Sequence, residues 1–229
     1  MLGTIVNVAA IVAGGLAGIW IGGSFKERYK NTIMQGISLS VVVIGLSMAL
    51  KGENTLLTIL SLVIGGLIGE MVNIEAKLDG FGQWIQERLQ KNGKVSNFSK
   101  GFVIASLVYC VGSMSIVGAI QDGILHDPST LYAKAVLDGI SAIVFASTMG
   151  MGVIFSFIPV FVYQGSITLL ASYIQPVLTD AIVTEMTAVG GVLILGIALT
   201  MLDIKKIKVG NLLPSIFIPI IYGLIVNFL

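Results

Sequence analysis

The chain has 229 residues, of which 55% are hydrophobic and only 11% charged, with a mean hydropathy of +0.98. Soluble proteins carry about 25% charged residues, and no soluble fold of this size could enclose so much apolar surface, so the bilayer is the solvent for most of the chain. A formal net charge of +1 gives no basis for nucleic-acid binding, and the single cysteine, Cys110, excludes a disulfide within the chain.

A crossing helix needs about 20 mostly apolar residues. Eight stretches qualify: residues 3–24, 33–50, 55–73, 101–123, 131–149, 152–174, 182–202 and 210–228. Leu131–Ile174 is too long for one crossing, and Gly150-Met151-Gly152 is its natural break. The N-terminus lacks a basic region, so its apolar run reads as a span rather than a cleavable signal. Lysine and arginine collect on the cytoplasmic side of membrane proteins. With eight spans, the loops bearing Lys26, Arg28 and Lys30, then Lys77, Arg88, Lys91, Lys94 and Lys100, then Lys205, Lys206 and Lys208 share one face. The other face receives Lys51 and Lys134. Both termini are therefore expected outside. The fifth loop would be cytoplasmic, yet it has no charge. The fold class is an all-α polytopic transmembrane helix bundle in a single domain, residues 1–229.

In the first span, Asn7 is a hydrogen-bonding polar group near the outer end. Gly14, Gly18 and Gly22 form a small-residue ladder that lets two backbones approach. The ladder reads either as a seam between copies, making a homo-oligomer, or as packing against a helix of the same chain. The third span repeats the theme with Gly65, Gly66 and Gly69. It ends at Glu70, either a carboxylate reaching the interface or a gate residue. Over 75–92, Leu78, Phe81, Ile85 and Leu89 recur at helical spacing beside Trp84, with charges opposite. That pattern predicts a helix lying in the membrane interface.

The fourth span turns polar at Gly112 and carries Ser113, Ser115, Gln121 and Asp122. Gly112, Gly118 and Gly123 make unwinding cheap. A broken helix would offer carbonyls, hydroxyls and the Gln121 amide to a cation. An intact helix would instead turn its serines back onto its own carbonyls. Asp122 falls near the outer mouth. Asp138 lies deeper in the fifth span, where a charged carboxylate costs roughly 2.5–3.5 kcal/mol or somewhat less. Lys134, four residues earlier on the same face, could neutralise it; otherwise Asp138 is a cation or proton site. Ser141, Ser147 and Thr148 continue a polar trace. The sixth span holds Pro159 and mid-membrane Gln164. The last opens with Gly210-Asn211 and holds Pro214 and Pro219, which predicts a distorted, protein-facing helix.

An internal correspondence aligns Val41–Leu50 with Val192–Met201, placing Gly45 over Gly196. Spans one to three (1–74) would then match six to eight (151–229), with the interfacial segment (75–97) and a central helix pair (98–150) between them. An offset of five spans inverts the second triplet, the arrangement of many transporters.

The segments Cys110–Gly123, Pro159–Leu170 and Lys208–Pro214 resemble the YqgA/YdfK-like bacterial membrane proteins, a family classed as a domain of unknown function. The resemblance spans essentially the whole chain. It implies a bacterial inner-membrane protein and a transporter, and it supplies neither a substrate nor catalytic residues.

The function expected is a transporter or channel for a small cation or solute, its pathway lined by Ser113, Ser115, Gln121, Asp122, Asp138 and Gln164. The rival reading is a non-transporting assembly or envelope partner. No Ser/His or paired-carboxylate spacing supports an enzyme, and Cys110 and His126 show no zinc-ligand spacing. No cofactor is implied, a metal is left open, and the expected partner is the lipid bilayer.

Overall fold

The computed structural model describes residues 1–23, 27–78, 80, 98–110 and 112–228. Among these the secondary structure is helical throughout, as expected for the all-α class. The elements are α1 (Leu2–Gly22), α2 (Glu27–Ala49), α3 (Thr55–Val72), α4 (Phe98–Cys110), α5 (Ser113–Ile124), α6 (Ser129–Met149), α7 (Met151–Phe155), α8 (Phe157–Leu169), α9 (Ala171–Ile174), α10 (Asp180–Met201), α11 (Val209–Leu212), a 3-10 turn (Leu213–Phe217) and α12 (Ile218–Phe228). Residues 74–78 are helical as well, but the interfacial helix expected over 75–92 lies outside the described residues from 81 onward.

Seven helical segments are long and apolar enough to cross a membrane, and α4 with α5, bent by 57°, makes an eighth where the pair is one span. The bend falls at Gly112, so the broken form of the fourth span is the one observed. Glycine contacts fix how the crossings run. A Cβ on Gly14, Gly18 or Gly22 would lie 2.2, 2.3 and 2.2 Å from the carbonyl oxygens of Gly139, Ile143 and Ser147. Residue numbers rise together, so α1 and α6 are parallel and in backbone contact. The ladder is thus filled by a helix of the same chain and not by a second copy. Parallel α1 and α6 need three crossings between them: α2, α3 and the bent α4–α5 pair.

The other close pairs are antiparallel. Gly191 on α10 abuts the Ala49 nitrogen of α2, and Gly45 on α2 abuts Gly191. Gly65 and Gly69 on α3 abut Ser215 and Asn211 of the last span. In the most enclosed helix, α10, 78% of the membrane window is buried, against 22% in α2 and in α3. The bundle therefore has α10 as its axis on one side, ringed by α2, α3 and the last span. The second group contains α1, α4, α5, α6, α7 and α8.

Turn chemistry follows the sequence. Gly150 divides α6 from α7 with φ 73° and ψ −148°, a conformation open essentially to glycine. Asn54 caps α3 by accepting from the Leu57 N–H at 3.0 Å, and Thr179 caps α10 through the Ile182 N–H at 3.4 Å. Pro214 sits in the 3-10 turn that interrupts the last span, as two prolines in one span predict.

Candidate functional site

Four of the six candidate residues, Asp122, Gln164, Ser115 and Asp138, gather beside one face of α1. Gly3 and Asn7 are four residues apart, stacked about 6 Å along the helix at 1.5 Å per residue. At the upper rung the Asp122 carboxylate accepts from the Gly3 N–H at 3.2 Å and pairs with the Met1 ammonium at 2.8 Å. Asp122 is only 4% exposed. The sequence places it near the outer mouth, either drawing cations or solvated, and in the structure it anchors the start of α1.

At the lower rung the Asn7 Nδ2 donates to Gln164 Oε1 at 3.3 Å, and Gln164 Nε2 donates to Ser115 Oγ at 2.9 Å. All three side chains are fully buried. This chain of two amides and a hydroxyl joins α1, α8 and α5 across the bundle. Asn7 also lies against the Asp138 carboxylate. Asp138 is ion-paired with Lys134, one turn before it on α6, and both are buried, at 7% and 6% exposure. The Lys134 ammonium lies 5.9 Å from the centre of the buried Tyr109 ring, whose hydroxyl accepts from Ser141 at 3.5 Å. The i,i+4 neutralisation open at the sequence level is therefore present. A buried pair gains from Coulomb attraction only if its remaining lone pairs and protons are also answered. Here Asn7 and the Tyr109 ring supply that surround.

Gln121 stands apart from this group. Gln121 Oε1 accepts from the Thr130 hydroxyl at 2.7 Å, and its carbonyl accepts from Leu125 at 2.9 Å and Asp127 at 3.4 Å. It clamps the turn between α5 and α6. In that turn the Ser129 hydroxyl and N–H both donate to Asp127 and hold its carboxyl below the usual range. Ser113 opens α5, and its side chain lies outside what the structure describes. The polar trace on α6 mostly turns inward on itself, since Ser147 and Thr148 donate to the Val144 and Phe145 carbonyls of their own helix. Glu70 is an exposed end carboxylate paired with Lys208 at 3.0 Å.

Unpartnered oxygens occur on the helices that bear the site. Asn7 Oδ1 and the Thr4 and Thr168 hydroxyl oxygens are buried without a protein partner. Among the described residues, no group of three His, Cys, Asp or Glu side chains is arranged to hold a metal ion. Sequence reading placed Asn7 as an ordinary polar group and gave no role to Tyr109. The signal for Asn7 was its amide inside an apolar span, which demands a protein partner.

The chain was compared with known proteins. A family model described as "Protein of unknown function (DUF554)" matches residues 2–224. The uncharacterized membrane protein YdfK of Bacillus subtilis (strain 168) is 35% identical over 223 residues, covering 96% of this chain and 94% of its own. The uncharacterized protein YqgA of Escherichia coli (strain K12) is 28% identical over 221 residues, 95% of this chain and 94% of its own. No solved structure matches the chain significantly. By the extent of these matches, the chain is a multi-pass membrane protein that belongs to the DUF554 family.

Proposed function

We propose that the protein is a transporter or channel for a small cation or polar solute, with its pathway at the ladder of Asp122, Asn7, Gln164, Ser115 and Asp138. The observation that carries this reading is the Lys134–Asp138 pair, held mid-span between a broken helix and an amide network with unfilled acceptors. Ionisable groups at such depth are costly and face cavities or pathways. Lys134 is a resident cation on Asp138. An arriving cation or proton would compete with it for the carboxylate, and the free Asn7 and Thr4 oxygens could complete its shell. A break at Gly112 places α5 backbone at the same level. The antiparallel contacts of α2 with α10 and of α3 with the last span favour the inverted relation between spans one to three and six to eight, because matched helices are neighbours.

In this reading the protein acts in a bacterial inner membrane with both termini outside, catalyses no reaction, and has the lipid bilayer rather than nucleic acid as its partner. Assembly into a homo-oligomer would have to use a surface other than the α1 ladder. The test is flux in proteoliposomes, screened with protons, sodium, potassium and small amino acids. Wild-type flux should fall at least about tenfold, a change of 1.4 kcal/mol, in Asp138→Asn. Unchanged flux in that variant removes the site assignment. Absence of flux, together with a stoichiometric copurifying protein, would favour a non-transporting assembly partner instead.

A further inference from the structure

A cavity of about 600 Å³ opens on the face that carries Met1, between the α2–α3 turn, the start of α10 and the end of α12. Its rim carries Glu53, Asp180 and Tyr222, and Glu185 reaches it from inside α10. None of its lining residues is Lys, Arg or His. Glu185 is 8% exposed. One of its oxygens accepts from the Glu53 and Asn54 N–H groups at 2.8 and 3.0 Å. The other, Oε2, is buried and has no partner. A half-satisfied buried carboxylate is expensive, and Glu185 is among the residues that line this acidic cavity.

The helix starts nearby do not reverse this field. Asn54 and Thr179 cap α3 and α10, and Glu185 Oε1 answers the turn before α3, while the end of α12 brings carbonyls rather than amides. Among the lining residues the remaining charge is negative, and Lys51 stands two residues from Glu53 in the same turn. The three carboxylates are not arranged to hold a metal ion. The volume far exceeds the roughly 30 Å³ share of one water, and the deeper walls are apolar, with Leu57, Ile182, Pro219 and Val226. A bare ion would leave those walls empty.

We infer that this cavity binds a protonated organic amine, with the ammonium among the Glu185, Glu53 and Asp180 carboxylates and the hydrocarbon body against the apolar wall. The site is separate from the ladder on α1, and its occupancy can be read without any flux, so it stands or falls apart from the transport reading.

The test is equilibrium dialysis of radiolabelled n-butylamine against the full chain in nanodiscs at neutral pH, with n-butanol as the uncharged isostere. Saturable binding of the amine, with none of the alcohol, is expected. Glu185→Gln keeps an oxygen acceptor for the Glu53 and Asn54 amides but loses the charge, and should weaken binding at least about tenfold. Asp180→Asn removes the charge of an exposed group in the first turn of α10 but keeps a side-chain oxygen there, so it should fold normally and weaken binding severalfold. If Glu185→Gln fails to fold, Asp180→Asn alone decides. Binding that is non-saturable, equal for the alcohol, or unchanged in the folded variants would overturn the inference. So would displacement of the amine by millimolar sodium or calcium while longer alkylamines fail to compete.

Discussion

At the residue scale, the Lys134–Asp138 pair decides how the centre of the molecule is read. Removing one partner of a buried pair strands the other charge and costs about 3–5 kcal/mol, whereas replacing both with apolar groups is often nearly neutral. Lys134→Met should therefore lower the unfolding midpoint in detergent sharply, and Lys134→Met combined with Asp138→Leu should recover most of the loss. If the double variant is no more stable than the single one, the two groups are not each other's principal partner. This pair was legible in the sequence because both residues lie on one helix at i,i+4. The Asn7–Gln164–Ser115 chain was not, since Asn7 and Gln164 are 157 residues apart. An amide in an apolar span announces that it needs a partner, but nothing local says which. Asp122 misled for a related reason: its place near a helix end suggests water, and the start of α1 folds onto it.

At the element scale, the α1–α6 contact holds the ladder in position. Three glycines meet three carbonyls of a parallel helix, an approach that Cα–H donors make favourable. The sequence displayed one half of this contact as a small-residue ladder. It could not display the other half, because α6 contributes backbone carbonyls, which any residue has. Gly18→Leu would put its Cβ 2.3 Å from the Ile143 oxygen, and neither backbone can yield without separating the helices. We expect loss of folded protein by size-exclusion chromatography, since overpacking costs about 1–3 kcal/mol even where side chains can adjust. Gly36 on α2 is the matched control, with nothing within 4 Å of a Cβ there. Gly36→Ala should be neutral or stabilise the helix by about 0.5–1 kcal/mol. Equal effects of the two substitutions, read as monodisperse yield and thermal midpoint, would mean that the α1–α6 contact is not what the ladder is for.

At the scale of the whole molecule, two independent observations give the same number of crossings. Eleven of the thirteen lysines and arginines fall on one face only if there are eight spans, and α1 can lie parallel to α6 only if the broken α4–α5 helix traverses the bundle. The hydropathy pattern could place the fourth span but not decide whether its polar, glycine-rich half crosses or turns back. The α1–α6 geometry favours a crossing, through contacts about 125 residues apart along the chain. A re-entrant α4–α5 would reverse every later helix and move Lys205 to the side of Lys51. Single cysteines separate the two topologies. In a Cys110→Ala background, Lys51→Cys should react with a membrane-impermeant maleimide in intact cells with the outer membrane removed. Lys205→Cys should react only after the inner membrane is permeabilised. Labelling of both from outside would mean seven crossings and would detach α5 from the pathway. Labelling of Lys205→Cys alone would keep eight crossings but invert them, turning the ladder at Met1 and the acidic cavity toward the cytoplasm.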